Sequence, residues 1–269
     1  MAQATATLNP TTQKIFRSAF LPLSRCYKDD RLYYLPRLPG DWYNDTLHGC
    51  TDSKAGNKYG QVFANSAYFA AIYPIDTKKK VGEALRVFFQ ELGVPELLTM
   101  YGAPDQVGQN SAFMKEVQKQ GINFQVIEPE RHNHNPAKGI FRQIQCKWFQ
   151  VMFRYKVPKE FWYYGMIWVC EIQQRTHTRT HIMDGGVPLE KLTGETEDIL
   201  DYLDFRFYDR TWFHENSGLG NRGLGCWLGV SHCTGGDISY WILKATGCVV
   251  SRTTVQRIIN LESEVSENQ

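Results

Sequence analysis

The sequence has no apolar run long enough to cross a bilayer. Its richest stretch, FWYYGMIWVC (161–170), is about half the length a spanning helix needs. The opening residues, MAQATATLNPTTQ, have no apolar core segment, which excludes a secretory signal. The seven cysteines are scattered without a C-x-x-C pair, and their odd count speaks against a disulfide framework. A reducing, intracellular location, nucleus or cytoplasm, is therefore expected, with no membrane partner. Net charge is also scarce: +2 is too small to mark a nucleic-acid binder by itself.

What is present is the balance of an ordinary globular protein, 42% hydrophobic and 22% charged. A length of 269 residues suits one large domain with a smaller one. The charges are unevenly spread. Seven basic residues (Arg131, Lys138, Arg142, Lys147, Arg154, Lys156, Lys159) stand against one acid, Glu160, between 131 and 160. Seven acidic residues stand against one base, Lys191, between 184 and 204. The basic stretch is the footprint a polyanion would want, although a solvated helix face gives the same pattern.

Residues 1–40 carry Pro10, Pro22, Pro36 and Pro39 and read as an irregular arm. WYNDTL (42–47), KYGQVFAN (58–65) and AYFAAIYPI (67–75) read as three successive strands. Thr77 is expected to cap a helix with Val81, Leu85, Phe88 and Leu92 on one face, stopped by Gly93 and Pro95. LLTM (97–100) reads as a buried strand, 106–119 as a second helix, and INFQVI (122–127) as a fifth strand. A third helix is expected from Pro136 to about Tyr155, and an aromatic fourth from Pro158 through Cys170. The order β-β-β-α-β-α-β-α-α predicts an α/β fold, a mixed five-stranded sheet flanked by helices. Beyond an acidic connector, short strands separated by Gly-rich turns predict a small C-terminal all-β barrel.

The third helix starts with an anomaly. Asn135 suits a cap and Pro136 the first helical position, but the third residue after the cap is Lys138. A helix begins with a positive end, so glutamate is favoured there. This stretch, EPERHNHNPAKGIFRQIQCKWF (128–149), together with WYNDT (42–46) and GVPELLTMYGAPDQVG (93–108), resembles the catalytic core of copia-type retrotransposon integrases. LGVSHCTGGDISYWILKATGCVVSRTTVQ (228–256) resembles the Src-homology-3-like module that follows that core in the same polyproteins. The resemblance implies a ribonuclease-H-like domain over 41–180, an acidic linker over 181–204, the β module over 205–262 and a tail, 263–269.

It also implies a chemistry. Such cores cut and join DNA with two Mg²⁺ about 3.5–4 Å apart, held by Asp, Asp and Glu. In this chain Asp45 keeps the first position, Tyr101 fills the second and Lys138 the third, with 36 residues (102–137) between the last two. Asp45 (−1), Tyr101 (0) and Lys138 (+1) sum to zero where the family's trio sums to −3. Each replacement is one base change from the family codon, as in a decaying element copy. The implied protein is a pseudoenzyme of DNA integration that holds no Mg²⁺ and grips DNA phosphates through Asn135, Lys138, Arg142, Lys147 and Arg154.

Other readings compete with this one. Asp105, Glu128 or Glu130 could substitute for the lost carboxylates and keep Mg²⁺-dependent strand transfer, while Glu116 is expected to face solvent. Phe161, Trp162, Tyr163 and Trp168 could pack a homo-oligomer interface in a purely structural protein, or simply a core. The open reading frame could also be a relic. His132 with His134, and HTRTH (177–181), lack the second ligand pair or the glutamate of zinc sites and read as polar loop. The family's preceding zinc module has no counterpart, which implies a fragment.

Overall fold

A computed structural model describes residues 35–108, 111–127, 136–178, 183–194, 196, 199–215, 221–232 and 238–258. The first strand, β1 (Arg37–His48), begins inside the expected arm and carries a bulge between Leu38 and Asp41. Gly40 sits in that bulge with φ +76°, a conformation glycine adopts without strain. β2 (Tyr59–Asn65) and β3 (Ala70–Ile75) follow in antiparallel pairing, and β4 (Val94–Tyr101) and β5 (Asn123–Ile127) join in parallel. The order β3-β2-β1-β4-β5 makes the expected mixed five-stranded sheet, flanked by helices.

Period-two alternation gives each face its own core. On one face Trp42, Phe63 and Phe69 meet α1 (Val81–Glu91), whose Phe88 stacks on Phe63 at 4.4 Å and lies 5.2 Å from Trp42. On the other face Leu47, Val62, Ala64 and Ile72 meet α4 (Pro136–Tyr155) and α5 (Trp162–Gln174).

Local chemistry shifts several expected boundaries. Thr77 makes no cap hydrogen bond, because the chain enters α1 through a 3-10 turn, Lys78–Lys80. The single helix expected over 106–119 is two, α2 (Pro104–Val107) and α3 (Ala112–Lys119). Ser111 causes the break: its hydroxyl accepts from the Phe113 and Met114 amides and so restarts the helix. The aromatic helix runs past Cys170 to Gln174, after a 3-10 turn at Lys159–Phe161. Within the acidic connector, α6 (Pro188–Thr193) and α7 (Leu200–Leu203) bury Leu189 and Tyr202.

The C-terminal strands are β6 (Arg210–His214), β7 (Arg222–Ser231), β8 (Ser239–Lys244), β9 (Val249–Arg252) and β10 (Val255–Arg257). They form one all-antiparallel sheet in the order β10-β6-β7-β8-β9. Its buried side chains, Trp227, Tyr240 and Ile242, belong to the same cluster as Trp148 on α4 and Met166 on α5. Trp168 on α5 lies 5.4 Å from Phe207 and 6.3 Å from Trp227, centroid to centroid. The aromatic helix is therefore the shared wall between the two sheets.

Two features of that wall are testable. A Cβ at Gly165 would overlap the Trp148 ring, so α4 and α5 approach only because Gly165 has no side chain. Gly165→Ala is expected to cost about 1–3 kcal/mol by overpacking, read as a lowered urea midpoint; an unchanged midpoint would contradict the close approach. His232, just past β7, lies with Nε2 2.7 Å from Oε1 of the buried Glu171 on α5. That hydrogen bond raises the His232 pKa above the ordinary value, against the opposing effect of burial. A raised histidine pKa favours the charged folded state. The stabilisation is thus full below the ordinary value of about 6.5 and fades as pH rises through the raised one. Thermal unfolding between pH 5 and 9 should show this slope, and His232→Gln should flatten it.

Candidate functional site

The carboxyl ends of β1 and β4, the short α2 and the start of α4 surround one pocket of about 210 Å³. In a sheet where β1 and β4 run parallel, both strand ends must open on the same edge, and α4 crosses above them. Asp45, Tyr101 and Lys138, far apart in sequence, all line that pocket.

Asp45 stands across from Val62 on β2, which turns it to the α4 face of the sheet. Its Oδ1 accepts from the Thr46 amide at 2.9 Å. The Thr46 hydroxyl donates to Gln61 Oε1 at 2.8 Å and accepts from Gln106 Nε2 on α2 at 3.4 Å. Tyr101 ends β4, half-buried, and the Lys138 ammonium lies 4.9 Å from its ring centroid. An ammonium over an aromatic face at that distance is attracted by the ring quadrupole.

The pocket holds more charge than the sequence pattern assigns to it. Lys78, from the turn before α1, and Asp105, on α2, complete the lining. Among the described residues the lining carries two carboxylates and two ammonium groups, which balance formally. Asp105 is among the candidate substitute carboxylates, whereas sequence reasoning misses Lys78, Thr46 and Gln106. The signal for Lys78 is the run TKKK (77–80), which reads locally as nothing more than a helix entrance.

Two Mg²⁺, implied by the family resemblance, do not fit this donor set. An ammonium has only donors and cannot ligate a cation, and it adds repulsion where a carboxylate is required. Among the described residues no three His, Cys, Asp or Glu side chains come together as a metal site. Glu128 and Glu130 lie outside the described residues, as do Asn135, His132, His134 and His181. Glu116, expected in solvent, instead accepts from Arg86 at 2.9 Å and is mostly covered. His177 contacts the Gly185 carbonyl through Nδ1 at 2.5 Å.

The basic residues of α4 divide between two sides. Arg142 is exposed one turn beyond Lys138, on the same side. Lys147 is nine residues on from Lys138 and Arg154 sixteen, about 180° and 160° around the helix. Lys147 donates to Gln173 Oε1 on α5 at 2.8 Å, and burial lowers its pKa. Arg154 lies over the Tyr155 ring at 5.7 Å. Lys138, Arg142 and Lys78 thus belong to one neighbourhood, and Lys147 and Arg154 to another. Of the aromatics on the fourth helix, Phe161, Trp162 and Tyr163 are buried within this chain. All five described cysteines, Cys50, Cys146, Cys170, Cys226 and Cys248, are free thiols. Among the described residues no helix is long and apolar enough to cross a membrane.

A scan of protein-family models finds no match, and a search of curated proteins finds none either. Solved structures do match. A simian T-cell lymphotropic virus intasome in complex with PP2A regulatory subunit B56 gamma aligns at 12% identity over 82% of this chain and 81% of that one, TM-score 0.43. The BIV integrase catalytic core aligns at 14% identity over 57% and 93%, TM-score 0.40. The HTLV-2 integrase catalytic core in complex with magnesium aligns at 12% identity over 56% and 94%, TM-score 0.41. Superpositions this loose carry no site chemistry across, so the chemistry here rests on this chain's own residues.

The wall of the pocket formed by α2 hangs on Ser111, whose hydroxyl lies 2.7 Å from the Asp105 carbonyl while capping α3. Ser111→Ala is expected to cost about 1 kcal/mol, measured by urea unfolding. A destabilisation near zero would mean that the cap does not support α2.

Proposed function

We propose that this chain is an integrase-like protein of a copia-type element that binds DNA without cutting it. The observation that carries the reading is the Lys138 ammonium, 4.9 Å from the Tyr101 ring in the pocket that Asp45 also lines. A two-metal site needs concentrated negative charge, whereas the described lining balances its two carboxylates with two ammonium groups. The same positive charges favour a phosphate backbone. Lys138, Arg142 and Asn135 at the start of α4, with Lys78 beside them, would contact phosphates, and such contacts carry no sequence preference. Lys147 and Arg154 would extend the grip only on the far side of α4. On this reading residues 41–180 are the core and 205–262 the Src-homology-3-like module of a degenerate copy, acting in the nucleus or cytoplasm and able to self-associate. Strand transfer through substitute carboxylates is the competing reading, supported only by Asp105 in the pocket lining.

Binding to a labelled DNA duplex, measured across a salt series, tests the proposal. Affinity should fall steeply with salt, and Lys138→Glu with Arg142→Glu should lower the salt slope by about 1 for each phosphate no longer neutralised. Salt-independent or absent binding would overturn it. Mg²⁺-dependent nicking or joining by the unaltered chain would establish the competing reading instead. Tyr101→Asp with Lys138→Glu should give Mg²⁺ binding by calorimetry that the unaltered chain lacks.

A further inference from the structure

A second cavity, of about 120 Å³, opens between α5 and the second sheet. It is somewhat smaller than the ~150 Å³ cavity known to admit benzene. Tyr163, Tyr164 and Trp168 from α5 and Trp241 from β8 supply its aromatic lining, and Glu171, one turn beyond Trp168, supplies the one carboxylate among its described lining residues. The rings are mutually inclined: Tyr164 meets Trp241 edge-on at 5.9 Å and 62°, and Tyr163 lies 4.0 Å from Tyr164 at 35°. Several aromatic rings gathered around one small space give it a polarisable lining that suits a weakly hydrated cation.

Glu171 points to a ligand independently of the rings. The residue is 7% exposed. Its Oε1 is engaged by His232 at 2.7 Å, but its Oε2 is buried with no hydrogen-bond partner among the described residues. A buried carboxylate oxygen left without a partner is costly and calls for an explanation in each native structure. A ligand of the right charge supplies one. An anion would be repelled by Glu171. A neutral apolar group would leave the carboxylate as it is. A bare metal ion would find one carboxylate and no other acid among the described lining residues. A soft, weakly hydrated cation satisfies both the rings and the carboxylate.

We propose that this cavity binds a methylated ammonium group, with Tyr163, Tyr164, Trp168 and Trp241 around its methyls and Glu171, whose other oxygen is held by His232, on its negative side. Such a group occurs on methylated lysine side chains and on free choline-like cations, and the two share the chemistry that the cavity reads. The proposal does not rest on the DNA-binding reading, since it uses none of the residues around Asp45 and Lys138.

The test uses the whole chain labelled with ¹⁵N, following the indole N–H signals of its seven tryptophans. Choline and its neutral isostere 3,3-dimethyl-1-butanol are titrated in parallel, and then a short peptide bearing one trimethyl-lysine beside its unmethylated twin. Saturable shifts at the Trp168 and Trp241 indoles are expected with choline and not with the isostere. A trimethyl-lysine peptide that binds at least tenfold tighter than choline identifies a protein ligand; equal affinity identifies the free cation. Glu171→Gln keeps an acceptor for His232 but removes the charge, and should weaken binding about tenfold. Equal binding of the isostere, or no saturation by any cation at millimolar concentration, overturns the proposal. Because those two arms use the unaltered chain, they decide the matter even if the variant fails to fold.

Discussion

The close approach of Trp148 to Gly165 is the constraint from which the rest of the architecture follows. A full indole lies where a side chain at that point of α5 would stand, so α4 and α5 are drawn together to a separation that only glycine permits. With α4 fixed in this way against β1 and β2, its first turn brings Lys138 to the pocket, beside Tyr101 at the end of β4. With α5 fixed, its outer side is offered to the second sheet. Trp148 itself reaches that side, meeting Phe207 edge-on at 5.2 Å. One close helix pair thus positions both the polar site and the aromatic one.

The polar site is governed by arithmetic of charge. Carboxylates gathered at strand ends repel one another, and divalent cations relieve the repulsion. In this chain ammonium groups do that work from within: Lys138 over Tyr101 and Lys78 at the rim offset Asp45 and Asp105.

Legibility differs sharply between elements. The strand pattern of β2, the amphipathic face of α1 and the start of α4 at Pro136 are all readable, because period and proline act through neighbours a few residues apart. The break between α2 and α3 is hidden. Val107 and Ala112 flank four residues, GQNS (108–111), that a continuous helix could also carry, and only the cap at Ser111 reveals that the chain restarts there. The basic residues of α4 read as one surface, although Lys138 and Lys147 stand about 180° apart by helix geometry, and Gln173 on α5 captures the latter. Counting charges along a stretch ignores the helix that separates them. The aromatic fourth helix is equally ambiguous, since a run of Trp and Tyr suits a core, an interface or a binding cavity alike; here Trp162 serves the first and Trp168 also lines a cavity.

The sequence by itself determined the order of strands and helices and the identity of the residue at each strand end and helix start. Asp45, Tyr101 and Lys138 are therefore placed at those ends by local patterns, capping and periodicity, while only the resemblance to integrase cores gives the three a common role. Only the tertiary structure decided which charges share a pocket, bringing Lys78 and Asp105 in and turning Lys147 away. It alone joined Glu171 and Trp168 on α5 to Trp241 on β8, some seventy residues later. Those meetings depend on how α4 and α5 pack, and packing is set by shape across space, which no stretch of chain contains.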